Sequence, residues 1–292
     1  MPSGDTFVTT VEEGLDTVIA SARIVREYPH NIMPKLVDKA TLPEGTGTSW
    51  REFAADQITA QNYGETDTID NPQELDGSVL SGTPQLSAVH TFVGRRVAGR
   101  LNSKAYAQLG GLAQNAINRL MDTDGLAMFA TATTTLAGTA TSLTSGHIRA
   151  GVERIASDAN EPGDPPYYVV LHGYGLYDLS SEVLGGVGTY NIPEGFTRET
   201  YMHGFTGMVE GAEVWRDGLI TVNATPDARG GVFAKKGLVL IQGFAPWKET
   251  REEPQKGYGG MSVWLKDEYL YIERSPGNWM YGLLHDATAP TS

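Results

Sequence analysis

Between Glu52 and Gly94 the chain carries seven carboxylates and not one lysine or arginine. Five of them crowd the thirteen-residue stretch ETDTIDNPQELDG, Glu65 to Gly77. No core can absorb such a run, because an unpaired ionised carboxylate is prohibitively costly away from water. The stretch lies between segments that read as strands. Residues 50–63 and 86–98 are expected to form the two strands of a long antiparallel ribbon, the first of them ambiguous and partly helical in pattern. The second, LSAVHTFVGRRV, alternates Val89, Thr91, Val93, Arg95 and Val97 against Ala88, His90, Phe92 and Arg96. A lone two-stranded hairpin is marginal in water, and this one has too few apolar residues to bury both faces. It must therefore lie on another surface. A calcium loop is the wrong reading of its tip: counted from Asp67, the sixth position is Pro72 where an EF-hand needs glycine.

The segments on either side are conventional by comparison. Thr10 and Glu13 have capping-box spacing, and Val11, Leu15, Val18, Ile19, Ala22 and Val25 then share one helical face until Tyr28-Pro29 ends the pattern. Residues 29–49 are an extended, Pro/Gly/Thr-rich segment, so this amphipathic helix has no neighbour in sequence to cover it. A second helix, KAYAQLGGLAQNAINRLMD, is capped by Asn102 or Ser103 and carries Ala105, Tyr106, Leu109, Leu112, Ala113, Ala116, Ile117 and Leu120 as its stripe. About twenty residues make a rod of roughly 30 Å. Gly110 and Gly111 sit in its middle, where each costs about 1 kcal/mol relative to alanine. The passage TATTTLAGTATSLTSG reads as a crossover into a second domain. That domain is expected to hold a helix at SGHIRAGVERIASDA, a buried strand YYVVLH, a helix GYGLYDLSSEVL, a glycine-rich loop from Gly185 to Gly195, and a strand pair in GMVEGAEVWRDGLI. Strands at GVFAKKGLVLIQG, GGMSVWLKDEYLYIER and WMYGLLHDA close the chain.

Chemistry-bearing motifs are weak throughout. There is no cysteine, hence no disulfide, thiolate ligand or thiol nucleophile. The six histidines stand singly, without metal-ligand spacing. Gly260-Met-Ser-Val-Trp264 lacks the second glycine of a nucleophile elbow, and Gly185-Gly-Val-Gly188 lacks the Gly-Lys-Ser/Thr ending of a phosphate loop. No catalytic residue, metal or cofactor is expected. A net charge of −13 repels phosphate backbones and excludes a sequence-reading nucleic-acid binder. The first residues show no basic region followed by an apolar one, so no secretory signal is expected, and no apolar run approaches the ~20 residues of a membrane span.

The order of parts is the strongest signal. A helical arm, an extended acidic hairpin, a long helix, a crossover and a mixed α/β domain ending in strands resemble the major capsid proteins of tailed bacteriophages, with the Hong Kong 97-type shell fold. The likeness is carried by AYAQLGGLAQNAINRLMDTDGLAMFA as the spine helix with a trailing Asp-rich turn, YYVVLHGYGLYDLSS as strand, turn and helix, MVEGAEVWRDG as an axial strand pair, and GGMSVWLKDEYLYIERSPGNWMYGLLHDA as the closing strands. The resemblance implies an α+β Hong Kong 97-like capsid fold. Its parts would be an N-terminal arm at 1–44, an E-loop at 45–98, a peripheral domain with the spine helix at 99–138, an axial domain at 139–235, and closing strands shared by both domains at 236–292.

The same resemblance implies a non-enzymatic subunit that self-assembles into hexameric and pentameric capsomers of an icosahedral head, built in the host cytoplasm and residing in the virion. It implies partners as well: further copies of itself, a separate scaffolding protein, a portal, a decoration protein, and enclosed double-stranded DNA held without sequence reading. Contacts between subunits would use Trp50, Phe53, Glu65, Asp67, Asp70, Glu74, Asp76, Phe92, Arg95 and Arg96 of the E-loop and Val11, Leu15 and Val18 of the arm. Gly110 and Gly111 would be the bend of the spine helix. The acidic tip would meet a neighbour's cations, with Arg95, Arg96 and Lys235-Lys236 as candidates. Members that cross-link covalently use an E-loop lysine, and here no lysine occurs between Lys39 and Lys104. The alternatives are an encapsulin-type compartment of the same fold and, from another class, a β-rich hydrolase using paired carboxylates.

Overall fold

The computed structural model describes residues 31–45, 47–66, 68, 70, 72–98, 103–185, 207–256 and 259–291, with backbone alone at 97–98, 103–110 and 185. The helix expected near Val11, Leu15 and Val18 lies outside the described residues, as do Asp67 and nearly all of the loop 185–195.

In chain order the elements begin with a single-turn helix α1 (Met33–Leu36), strand β1 (Asp38–Thr41), a hairpin of β2 (Trp50–Ala55) and β3 (Gly77–Gly82), β4 (Gln85–Gly94), a short α2 (Arg95–Ala98) and the long α3 (Ser103–Thr131). Then come β5 (Thr135–Ala137), α4 (Ser145–Ala156), β6 (Tyr167–Leu171), α5 (Gly173–Gly185), β7 (Met208–Val209), β8 (Ala212–Arg216) and β9 (Asp227–Ala234). A 3₁₀ turn at Lys235–Gly237 leads into β10 (Leu238–Gln242), β11 (Trp247–Glu252), β12 (Gly260–Glu273) and β13 (Met280–Asp286).

Two sheets organise these parts. In the first, β12 is the central strand: β10 and β11 pair antiparallel with it along one side, β4 along the other, and β1 joins β10 in parallel. The second has the order β5-β13-β9-β6-β8-β7. Its inner strands are apolar on both faces because both faces are covered. Phe233 of β9 enters a core shared with α3 and the first sheet (Met33, Leu126, Phe129, Leu238, Tyr271), whereas Val232 and Ala234 enter a core beneath α4 and α5 (Ile148, Ile155, Leu171, Leu179). Gly231 is where the spine helix can come close to β9. A Cβ there would lie 2.2 Å from the Phe129 ring, which is free to pack against Phe233 at 5.7 Å between centroids.

Two sequence expectations are corrected. The ribbon of 50–63 with 86–98 does not form. β2 pairs with β3, in the register Trp50↔Gly82 to Ala55↔Gly77, and β4 pairs with β12, from Gln85↔Tyr269 to Gly94↔Gly260. The fourteen-residue β12 offers β4 a full partner, and there Val93 becomes buried; a bare hairpin would leave both faces of β4 wet. Nor does the spine helix end at its Asp-rich segment. It runs to Thr131, 29 residues in all. Asp122 is fully buried and accepts hydrogen bonds from the Asn31 and Met33 N–H groups at 3.1 and 2.8 Å, while Leu126 and Phe129 extend the apolar stripe. The acid is a tether for the preceding chain and not a helix stop. The helix also passes unbroken through Gly110 and Gly111. A crowded crossing, one reason to place glycine there, is absent at Gly111: a Cβ on it would meet nothing within 4 Å among the described residues.

Candidate assembly surface

The hairpin of β2 and β3 leaves the body of the chain beside β12. Two features seat its base. Gly82 lets β3 lie on β12, since a Cβ there would stand 2.2 Å from Ile272 Cδ1 and 2.6 Å from Leu270 Cδ2. Arg274, at the end of β12, then clamps it electrostatically. Its Nη1 donates to Asp38 Oδ2 at 2.6 Å and its Nε to Glu52 Oε2 at 2.9 Å, and Nη1 also reaches the Lys236 carbonyl at 3.3 Å. Burial works against the Asp38 carboxylate, but the Arg274 hydrogen bond and charge overcome it and hold the group below the usual carboxylate range. Charge-assisted bonds of this kind are about twice as strong as neutral ones.

Beyond the base, among the described residues, the hairpin is held by itself and by one touch on a distant loop. Asp56 N–H donates to the Asp76 carbonyl at 2.9 Å, Thr59 N–H to Gln73 Oε1 at 2.9 Å, and Gln57 Nε2 to the Asn160 carbonyl. Its apolar side chains remain in water: Phe53 is 56 % exposed, Val79 60 %, Ile58 65 % and Leu75 67 %. Glu65, Asp70, Glu74 and Asp76 are exposed too, and form no ion pair among the described residues. Exposed apolar side chains set along one element among charge of one sign are the kind of surface that an interface presents.

Among the described residues the cations named as candidates for that tip do not meet it. Arg95 and Arg96 are exposed and lie past Gly94, at the opposite end of β4 from the hairpin base. Ten residues of strand separate the two, roughly 30 Å. Arg95 borders a groove formed with Val93, Glu252, Pro254, Gly260 and Met261. Lys236 is engaged by Asp164 at 3.1 Å in the same chain. Phe92 sits under the Lys256 ammonium at 4.8 Å, and Trp50 is half-buried at the hairpin base.

A second surface has the same unfinished character. The outer edge of β4 pairs with no strand among the described residues, and its ten residues carry no formal charge. Other edges are blunted in the usual ways. β1 is short and holds Asp38 and Lys39, β7 has two residues, and β11 carries Lys248, Glu249, Arg251 and Glu252. On the second sheet, Tyr174 and Tyr177 of α5 and Met208 and Trp215 near the β7 edge are exposed.

Sequence reasoning located the acidic hairpin but missed Arg274, whose partners are 222 and 236 residues away and leave no local pattern. Among the described residues no group of three or more His, Asp or Glu side chains is placed to hold a metal ion, and no helix is long and apolar enough to cross a membrane.

No protein-family model matches the sequence, and no curated protein matches it significantly. Solved structures do match its fold. A chain from Mycobacterium phage Che8 is 15 % identical with a TM-score of 0.69 over 92 % of this chain and 96 % of its own. One from the capsid of the cyanophage P-SCSP1u is 13 % identical with a TM-score of 0.69 over 92 % of each chain. One from the head of Helicobacter pylori bacteriophage KHP40 is 11 % identical with a TM-score of 0.68 over 91 % of this chain and 94 % of its own. With identity this low the likeness is one of architecture, and it spans nearly the full length: the chain has the Hong Kong 97-type capsid fold.

Proposed function

We propose that this chain is the major capsid protein of a tailed phage, a structural subunit that assembles into hexameric and pentameric capsomers of an icosahedral head around double-stranded DNA. The observation that carries the reading is the β2–β3 hairpin: a projecting element with exposed Phe53, Ile58, Leu75 and Val79 and an acidic tip that forms no ion pair among the described residues. Its full-length likeness to capsid subunits of other phages supports the same reading. In the assembled shell the hairpin lies on an adjacent subunit, and its carboxylates fix register against that neighbour's cations, with Arg95 and Arg96 the best placed. The spine helix bends at Gly110-Gly111 where the subunit must adapt to different positions in the shell. A separate scaffolding protein, a portal and a decoration protein complete the particle, which is built in the host cytoplasm. DNA is enclosed and not read, in keeping with a net charge of −13.

Electron microscopy of the purified full-length chain, expressed alone and with a candidate scaffolding protein, tests this. Closed shells, or rings of five and six subunits, are expected. A chain that stays monomeric under every assembly condition and is never found in particles would end the proposal.

A further inference from the structure

Among the described residues three buried side-chain atoms lack a hydrogen-bond partner: Asp217 Oδ2, Tyr271 OH and His285 Nε2. The first two belong to one cluster. Asp217 follows β8 and has no exposed surface; its Oδ1 accepts the Leu219 N–H at 2.8 Å, and its own N–H donates to the Leu171 carbonyl at 2.9 Å. Asp122, on the spine helix, is equally buried; each of its oxygens accepts one backbone N–H, from Asn31 and Met33, and keeps a lone pair free. Its carboxyl is the side-chain group that acts on Asp217. From β12, Tyr271 feels Asp122, Tyr269 and Asp124, and Tyr269 OH donates to Asp124 Oδ2 at 2.7 Å. Met33, Met121, Leu126 and Ile220 supply apolar core around them. Every titratable group in this set is acidic. Neighbouring Arg216 is exposed, its stem running past Gly173, and no lysine, arginine or histidine among the described residues acts on Asp217.

Carboxylates crowded into an apolar core, with no cation beside them among the described residues, are costly to keep ionised together. We propose that Asp217 carries a proton on Oδ2 and donates it to Asp122, and that this hydrogen bond fastens the segment after β8 to the spine helix and, through Asn31 and Met33, to the start of the described residues. The proton fills one of the cluster's two vacancies, since a protonated Asp217 Oδ2 becomes a donor toward Asp122. Burial first, with the Asp122 charge added, pushes Asp217 up to about 6. The joint therefore opens as pH rises. A buried acid with a raised pKa makes the folded chain bind more protons than the unfolded one between the ordinary value, 3.8, and about 6. Stability is full below that window and declines as pH rises through it. His285 gives the opposite slope, because burial lowers its pKa. The comparison must therefore hold His285 constant.

Thermal unfolding of the full unassembled chain from a pH below the ordinary value, 3.8, to above about 6, parent against Asp217→Asn, does so. The amide can still donate to Asp122 but carries no charge. The parent is expected to lose several degrees of Tm relative to the variant across that range, with the two converging at low pH. Parallel profiles would overturn the proposal. Infrared difference spectra give a second readout: a protonated-carboxyl band that the parent shows at pH 5 and Asp217→Asn lacks should vanish through about pH 6, and identical bands in the two chains count against the proton on Asp217. If added calcium raises the Tm of the parent and not of Asp217→Asn, the pair holds a cation and the proton reading is wrong. None of these measurements depends on shell assembly.

Discussion

The spine helix contains glycines in two opposite environments, so one substitution should have opposite signs at two places. At Gly111 a Cβ would meet nothing within 4 Å, and the position is exposed. Alanine there only lowers the backbone entropy lost on helix formation, and should stabilise the chain by about 0.5–1 kcal/mol. At Gly125 the new Cβ would stand 2.8 Å from Met33 Cβ, 3.1 Å from Met33 Cγ and 3.1 Å from Tyr271 Cζ. Neither neighbour can yield easily. Met33 is fully buried and held at its backbone by Asp122, and Tyr271 is a buried strand residue. Overpacking of this kind costs about 1–3 kcal/mol, from which the same helix gain of about 1 kcal/mol is subtracted. The net expectation for Gly125→Ala is a loss of up to about 2 kcal/mol. For a chain of this size each kcal/mol moves Tm by about 2–4 °C. Scanning calorimetry of the unassembled full-length chain, at matched protein concentration, should show Gly111→Ala melting above the parent and Gly125→Ala below it. Should Gly125→Ala melt at or above the parent, or Gly111→Ala clearly below it, the packing derived for this helix is wrong.

Arg274→Gln should cost about 1–3 kcal/mol, because it strips two partly buried carboxylates of their charged partner, and urea titration would register the loss. Since Asp38 is held below its usual range, the clamp contributes above that range and fails as acid titrates the group; the variant should show a shallower acid limb in a pH–stability series. Phe129→Ala should cost about 3–5 kcal/mol, as it empties the site between Gly231 and Phe233. Neutralising Asp67, Asp70 and Glu74 together should impair assembly more at low salt than at high salt, since exposed charges are screened within about 8–10 Å at physiological ionic strength; light scattering across a salt series would show it, and equal assembly of variant and parent would remove the role given to the tip.

Local pattern was enough to identify most elements. Val89, Thr91 and Val93 alternate because β4 has one covered face, and the unbroken apolar run of YYVVLH marks a strand covered on both. The acidic hairpin, too, was legible as a segment that no core of its own could hold, because charge density is a property of the sequence itself. Which strand pairs with which was not. β4 reads the same whether it faces β2 or β12, and only the assembled sheet, with fourteen residues of β12 on offer, decides between them. The end of the spine helix was misread for a related reason. Asp122 and Asp124 look like a polar terminus until Asn31, Met33 and Tyr269, all distant in sequence, supply the hydrogen bonds that let an acid stay inside the helix. Arg274 and Asp217 left no local trace at all. Periodicity records which face of an element is apolar, and so survives in the sequence; the partners of a buried charge are set by where the chain returns, and exist only once it has folded.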